Sequence, residues 1–117
     1  MIRLKEVKQQ IVADPANWVI HLMDFVDDFR YYKDPEAVRE PFALSDERWD
    51  ALLASTASQL CAELGIEIPD WLWEVPACRD PWFISGMESL RAIALVESPL
   101  YFRLRKIFVL ENFLSRA

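Results

Sequence analysis

Three side chains able to exchange protons or bind a cation recur at helical spacing early in the chain: His21, Asp24 and Asp28. Steps of three and four residues put them on one side of a helix, where they could share a divalent ion or divide acid–base work. The plainer reading is a solvated flank beside an apolar stripe. Metal sites ordinarily draw ligands from more than one element, and His21 is the only histidine, so the familiar zinc signatures cannot be written. A metal-dependent enzyme using His21, Asp24 and Asp28 therefore ranks third among the functional readings, and no cofactor or metal is expected. A serine triad would also have to use His21, and no serine lies in a nucleophile-elbow motif. Cys61 falls within a helix near its apolar side. Cys78 lies in a Pro-rich stretch that can expose it, with only Arg79 nearby to lower its pKa. Both are expected to be inert.

A second constellation is "SPLYFRLRKIFV", Ser98 to Val109, where Arg103, Arg105 and Lys106 sit among aromatics. Taken as a helix, 99–108 gathers Leu100, Leu104, Ile107 and Phe108 on one face. Phe102, Arg103, Arg105 and Lys106 fall on the other. A large aromatic between cations can anchor an acidic partner, so these four are the candidate partner-binding residues. The alternative is that Phe102 meets a neighbouring helix and the cations pair with acids of the same chain. A third group, Trp71 and Trp73 with Trp82 close behind, can form a ligand surface or staple an irregular segment to a core; the staple is preferred.

Bulk properties narrow the classes. The chain has 117 residues, 53% of them hydrophobic, which suits one domain spanning 1–117 and excludes intrinsic disorder. With only Gly65 and Gly86 as glycines, no phosphate-cradling loop can be written. The net charge is −6, divided as −8 over residues 1–80 and +2 over 81–117. An acidic balance disfavours general nucleic-acid binding. Two cysteines without a CxxC pair, a charged start and no bilayer-length apolar run predict a cytoplasmic protein with no membrane association.

The elements that must position these groups read as all-α: a single compact bundle of five to seven helices with an irregular Pro/Trp-rich segment. A short helix over 2–12 carries Leu4, Val7 and Ile11. Asp14 and Pro15 open a second, to about Tyr32, with Trp18, Leu22, Phe25, Val26 and Phe29 inward. Asp34–Pro35 starts two further turns. Ser45 is expected to cap a helix from Asp46 to Leu64, which Gly65 ends. Its stripe is Trp49, Leu52, Leu53, Leu60 and Leu64. The opposite face holds Ala51, Ala54, Ser55, Ser58 and Ala62, small enough for close approach, so this helix should be central and packed on two sides. After an irregular 66–81, which can include one helical turn at Asp70–Glu74, Ser85 and Glu88 spell a capping box for a helix to about Val96, with Leu90, Ile93 and Ala94 inward. Ser98–Pro99 starts another, which should break near Lys106 because Ile107-Phe108-Val109 favours extended backbone.

The run "PWFISGMESLRAIALVESPLYFRLRKIFVLENFLSRA", preceded by "IPDWLWEVP", resembles an uncharacterised bacterial helical module. That module is similar to the C-terminal region of some helix-turn-helix regulators, with stand-alone copies in settings like toxin–antitoxin pairs. The resemblance covers about residues 69–117. It falls on Pro81, Trp82, Phe83, Leu90, Arg91, Ala92, Phe102, Arg103, Phe108, Val109 and the closing Arg-Ala, and it implies that Trp82 and Arg91 belong to one structural motif. Lys106 stands where the module is expected to have Gly, and residues 1–68 carry no helix-turn-helix signature. The expected function is a non-enzymatic, antitoxin-like or regulatory accessory protein that binds a protein partner or itself. A DNA-associated regulator acting with a partner is the first alternative.

Overall fold

The computed structural model describes residues 1–115; the closing Arg116 and Ala117 of the module pattern lie outside them. The chain is mostly helical. Helix α1 (Leu4–Ala13) buries Leu4, Val7 and Ile11, the expected stripe. A 3₁₀ turn, Pro15–Asn17, leads into α2 (Trp18–Tyr32), which buries Leu22, Met23, Phe25, Val26 and Phe29. Lys33 ends α2 in the left-handed region, φ 52°, its N–H bonded to the Phe29 carbonyl. Asp34 accepts from the Glu36 N–H and starts the 3₁₀ turn Pro35–Val38.

Helix α3 (Glu47–Leu64) is capped by Asp46, whose carboxylate accepts from the Arg48 and Trp49 N–H groups. The expected cap, Ser45, sits one residue too early, and its own N–H donates to Asp50 at 2.9 Å. Gly65, at φ 70°, closes the helix by a Schellman pattern: Ile66 N–H to the Cys61 carbonyl and Gly65 N–H to that of Ala62. Helix α3 packs against α1, α2, α4 (Asp70–Trp73) and α6 (Leu100–Arg103). Its small face, Ala51, Ala54, Ser55 and Ser58, is buried together with Leu52, Leu53 and Leu60 of the stripe, as expected of a central helix, and Trp49 and Leu64 are half-buried. Only Ala62, at the open end, is exposed.

The last third departs further from expectation. Trp82–Phe83 (β1) and Ile107–Phe108 (β2) form a short parallel pair. Ser85 and Glu88 make no capping box. The Ser85 hydroxyl accepts from the Met87 N–H, a 3₁₀ turn Glu88–Leu90 follows, and α5 spans only Arg91–Glu97. Gly86 at φ 67° turns the backbone there, which draws the serine to its second neighbour instead of its third. Helix α6 ends at Arg103. Lys106 takes φ 59°, and Ile107–Phe108 is extended before the chain turns again over 111–114. The expected break is therefore present, at the position where the module pattern calls for Gly, and a lysine adopts the left-handed turn. One core cluster runs through the chain from Leu4 to Leu114. No helix among the described residues is long and apolar enough to cross a membrane.

Candidate functional site

The projection of 99–108 is inverted in the structure. Phe102 is fully buried, edge-on to Phe113 at 5.8 Å, and Arg105 is 5% exposed. Leu100 and Leu104, assigned to the core, are 59% and 54% exposed, while Ile107 is buried and Phe108 half-buried. The physical reason is the break. A 3.6-residue projection was carried through Lys106 onto Ile107 and Phe108, where the period becomes two, so it aligned the wrong side of α6. Phe102 and Arg105, three apart, share the true inward face.

The three cations of this stretch serve backbone carbonyls. Arg105 donates from Nε to the Val75 carbonyl at 3.3 Å and from Nη2 to that of Leu72, at the end of α4. Burial lowers its pKa from the ordinary arginine value, but a guanidinium stays protonated in a protein. Arg103 Nη2 donates to Leu95 at 2.6 Å, closing the end of α5, and Lys106 Nζ reaches the Arg79 carbonyl at 3.5 Å. The last carbonyls of a helix lack intrahelical partners, and cations are favoured there. The four candidate residues thus divide into a buried pair, Phe102 and Arg105, and an exposed pair, Arg103 and Lys106, tethered to neighbouring segments.

Among the described residues, His21, Asp24 and Asp28 form no group that could hold a metal ion. His21 Nε2 lies 3.0 Å from Asp14 Oδ2, and Asp28 accepts from the Ile2 N–H at 2.7 Å. Asp14, expected as a backbone cap, instead binds the Asn17 amide and His21, which together lower its pKa. Cys61 and Cys78 are both buried, against the expectation that Cys78 can be open to solvent. Burial pushes Cys61 up to about 11 and Cys78 upward as well, the direction of an inert thiol.

The aromatics are largely staples. Trp18, Trp49 and Trp82 form a closed triangle with centroids 5.6, 6.5 and 5.9 Å apart, joining α2, α3 and β1. Rings in mutual contact leave no gap for a cation between them. Arg48 lies over Trp82 from outside, at 5.4 Å. Trp71 edges against Phe42 and donates from Nε1 to the Val38 carbonyl at 2.9 Å. Trp73 departs from the pattern, exposed beside Tyr101. Arg91 stacks over Phe83 at 5.0 Å, and Phe83 stacks on Phe108 at 5.0 Å, so three positions of the module pattern meet in one layer.

Two structural residues escaped the sequence reading. Lys8 continues the periodicity of Leu4 and Ile11, so a buried lysine was legible there. It pairs with Asp50, donates to the Ala43 carbonyl at 2.7 Å and lies over Phe42. Ser98 reads locally as a helix start. Its buried hydroxyl instead accepts the Val109 N–H at 2.8 Å and can donate to the Ala94 or Val109 carbonyl, tying α5 to the extended end. No local signal points to a partner eleven residues away.

What remains exposed and apolar is α5 itself. Ala94 is its only buried residue, while Ile93, Leu95 and Val96 are 46%, 46% and 78% exposed. Relative to Ala94, Val96 and Ala92 point outward and Ile93 and Leu95 lie on the two flanks, at about 100° per residue. Ile93, expected inward, faces solvent because α5 rests on the rest of the fold by a single edge. Met87, Leu100 and Leu104 are exposed too. No family model, curated protein or solved structure matches the chain.

Proposed function

We propose that this chain is a non-enzymatic protein-interaction unit, an antitoxin-like or regulatory accessory protein of the bacterial cytosol. In this reading residues 1–117 form one domain, a helical bundle that presents a surface. The observation that carries it is the outward apolar side of α5; Leu100 and Leu104 of the next helix are exposed as well. Monomers rarely expose contiguous apolar surface of more than a few hundred Å² without using it. The resemblance over about 69–117 supplies the antitoxin-like part. The partner surface is therefore moved from Phe102 and Arg105 to α5, with Arg103 at its edge. DNA association is favoured less: Arg103, Arg105 and Lys106 already donate to carbonyls and Arg91 lies on Phe83.

The test is affinity capture with the tagged chain and its Val96→Asp, Leu100→Asp variant. The expected result is a partner held by the natural protein and lost by the variant, with helicity and thermal midpoint unchanged. An identical set of captured proteins would overturn the assignment of this surface.

A further inference from the structure

The two tryptophans of α4 are used in opposite ways. Trp71 donates its indole N–H to the Val38 carbonyl and edges against Phe42. Trp73, two residues on, is 53% exposed, and its N–H donates to no described residue. Its ring meets that of Tyr101 on α6, with centroids 5.9 Å apart and planes tilted at 56°. Rings tilted in this way do not cover each other's faces. Tyr101 is half-buried, and its hydroxyl also bonds to no described residue. Leu104, exposed at the C-cap of α6, lies one turn on from Tyr101 and on the same side of the helix.

The two rings are held in place from within. Leu72, between the tryptophans, is fully buried. Arg105, one turn after Tyr101, donates to the carbonyls of Leu72 and Val75, which stand on either side of Trp73 in the chain. A buried guanidinium therefore fixes α4 against α6, and the two rings with them. A surface ordered beforehand loses little entropy when a ligand arrives.

The groups on this surface select the occupant. They are ring faces, one aliphatic side chain, an N–H and an O–H. The occupant must bring apolar bulk and hydrogen-bond acceptors that are not already engaged. Helices and paired strands spend their carbonyls on their own backbone. A polyproline II segment has no internal hydrogen bonds, so its carbonyls are open, and its pyrrolidine rings pack on aromatic faces. Rings in contact at 5.9 Å leave no slot for a cation between them.

We infer that Trp73 and Tyr101, with Leu104 on the same side of α6, form a docking surface for a proline-rich, extended segment of a partner protein. The inference rests on the reading of the chain as an interaction unit and names the chemistry of what it binds. The probe is a fluorescein-labelled decapeptide of proline interrupted by leucine, titrated with the full chain and read by anisotropy. The natural protein binds it and does not bind the same peptide with alanine for proline. Trp73→Ala weakens binding about tenfold or more. Trp73→Phe, which keeps a ring and removes the N–H, weakens it about threefold to fivefold. Val19→Ser, exposed on α2, leaves it within about twofold.

No saturation by about 0.5 mM protein, equal binding of the alanine peptide, full binding by Trp73→Ala, or equal loss in Val19→Ser overturns the assignment. Displacement of the peptide by maltohexaose also overturns it, and gives the rings to a saccharide. The thermal midpoint of each variant separates lost binding from lost fold. A captured partner that Val96→Asp, Leu100→Asp removes and Trp73→Ala leaves in place retains the interaction function and rejects the proline-rich occupant alone.

Discussion

Helices α3 and α5 treat their residues in opposite ways. Helix α3 buries eleven of its eighteen residues, and Asp50, Ser55, Thr56 and Ser58 are among them. Helix α5, "RAIALVE", buries only Ala94 and turns Ile93, Leu95 and Val96 toward solvent. By composition α5 is the better core helix. The difference is placement. Helix α3 has neighbours around its circumference, so even its serines lose water. Helix α5 leans on the 3₁₀ turn before it and on β2, so most of its apolar surface has nothing to pack against. Burial in this chain follows the number of neighbouring layers, and polarity only sets what it costs.

That contrast can be broken by measurement. Phe102→Ala removes a fully buried ring, and the expected loss is about 3–5 kcal/mol, against about 0.5 kcal/mol or less for Val96→Ala on α5. Urea denaturation of the two variants checks this, and equal losses would mean that the inside and outside of the last third are misassigned. A smaller effect comes from Cys61 on α3. Its thiol ionises near 9 in the unfolded chain and at about 11 when buried, so the folded state holds its proton longer. Its share of stability is intact below pH 9 and is lost as pH rises toward 11, by up to roughly 3 kcal/mol. Cys61→Ala should flatten that part of the stability–pH curve; an unchanged slope would show that the thiol is not sequestered. The smallest effects sharpen the contrast between serines. Ser98→Ala removes a shared hydroxyl and should cost about 1–2 kcal/mol. The Ser55 hydroxyl has no hydrogen-bond partner among the described residues, so Ser55→Ala should be neutral or stabilising by about 0.5–1 kcal/mol. Thermal midpoints of the two variants moving together would contradict this division.

Much of the molecule was legible before any coordinates. The stripes of α1 and α2 come through intact because each helix is long enough for its period to repeat. The two-sided packing of α3 followed from small residues opposite a leucine stripe. The end at Gly65 and the break near Lys106 followed from residue type and backbone preference. The candidate surface was not legible in the same way. Its projection assumed one period over 99–108, and four residues of helix gave too little signal to fix the inward side. The capping box failed because Ser85 competes for a nearer N–H at a glycine turn. The cations were expected either at a partner or at acids, and neither local pattern nor charge counting shows a backbone carbonyl as the acceptor.

By itself, then, the sequence determined the helical class, the apolar stripes of α1 and α2, the ends of α2 and α3, the central place of α3 and the turn at Lys106. These depend on neighbours within a few residues, where sterics and hydrogen-bond geometry act directly. Only the tertiary structure decided which face of α6 is inside, that Arg105 serves the end of α4, that Ser98 binds Val109, and that α5 is left uncovered. Each of those depends on which segments arrive beside one another after the chain folds, and a side chain's environment there is set by residues eleven to more than thirty positions away.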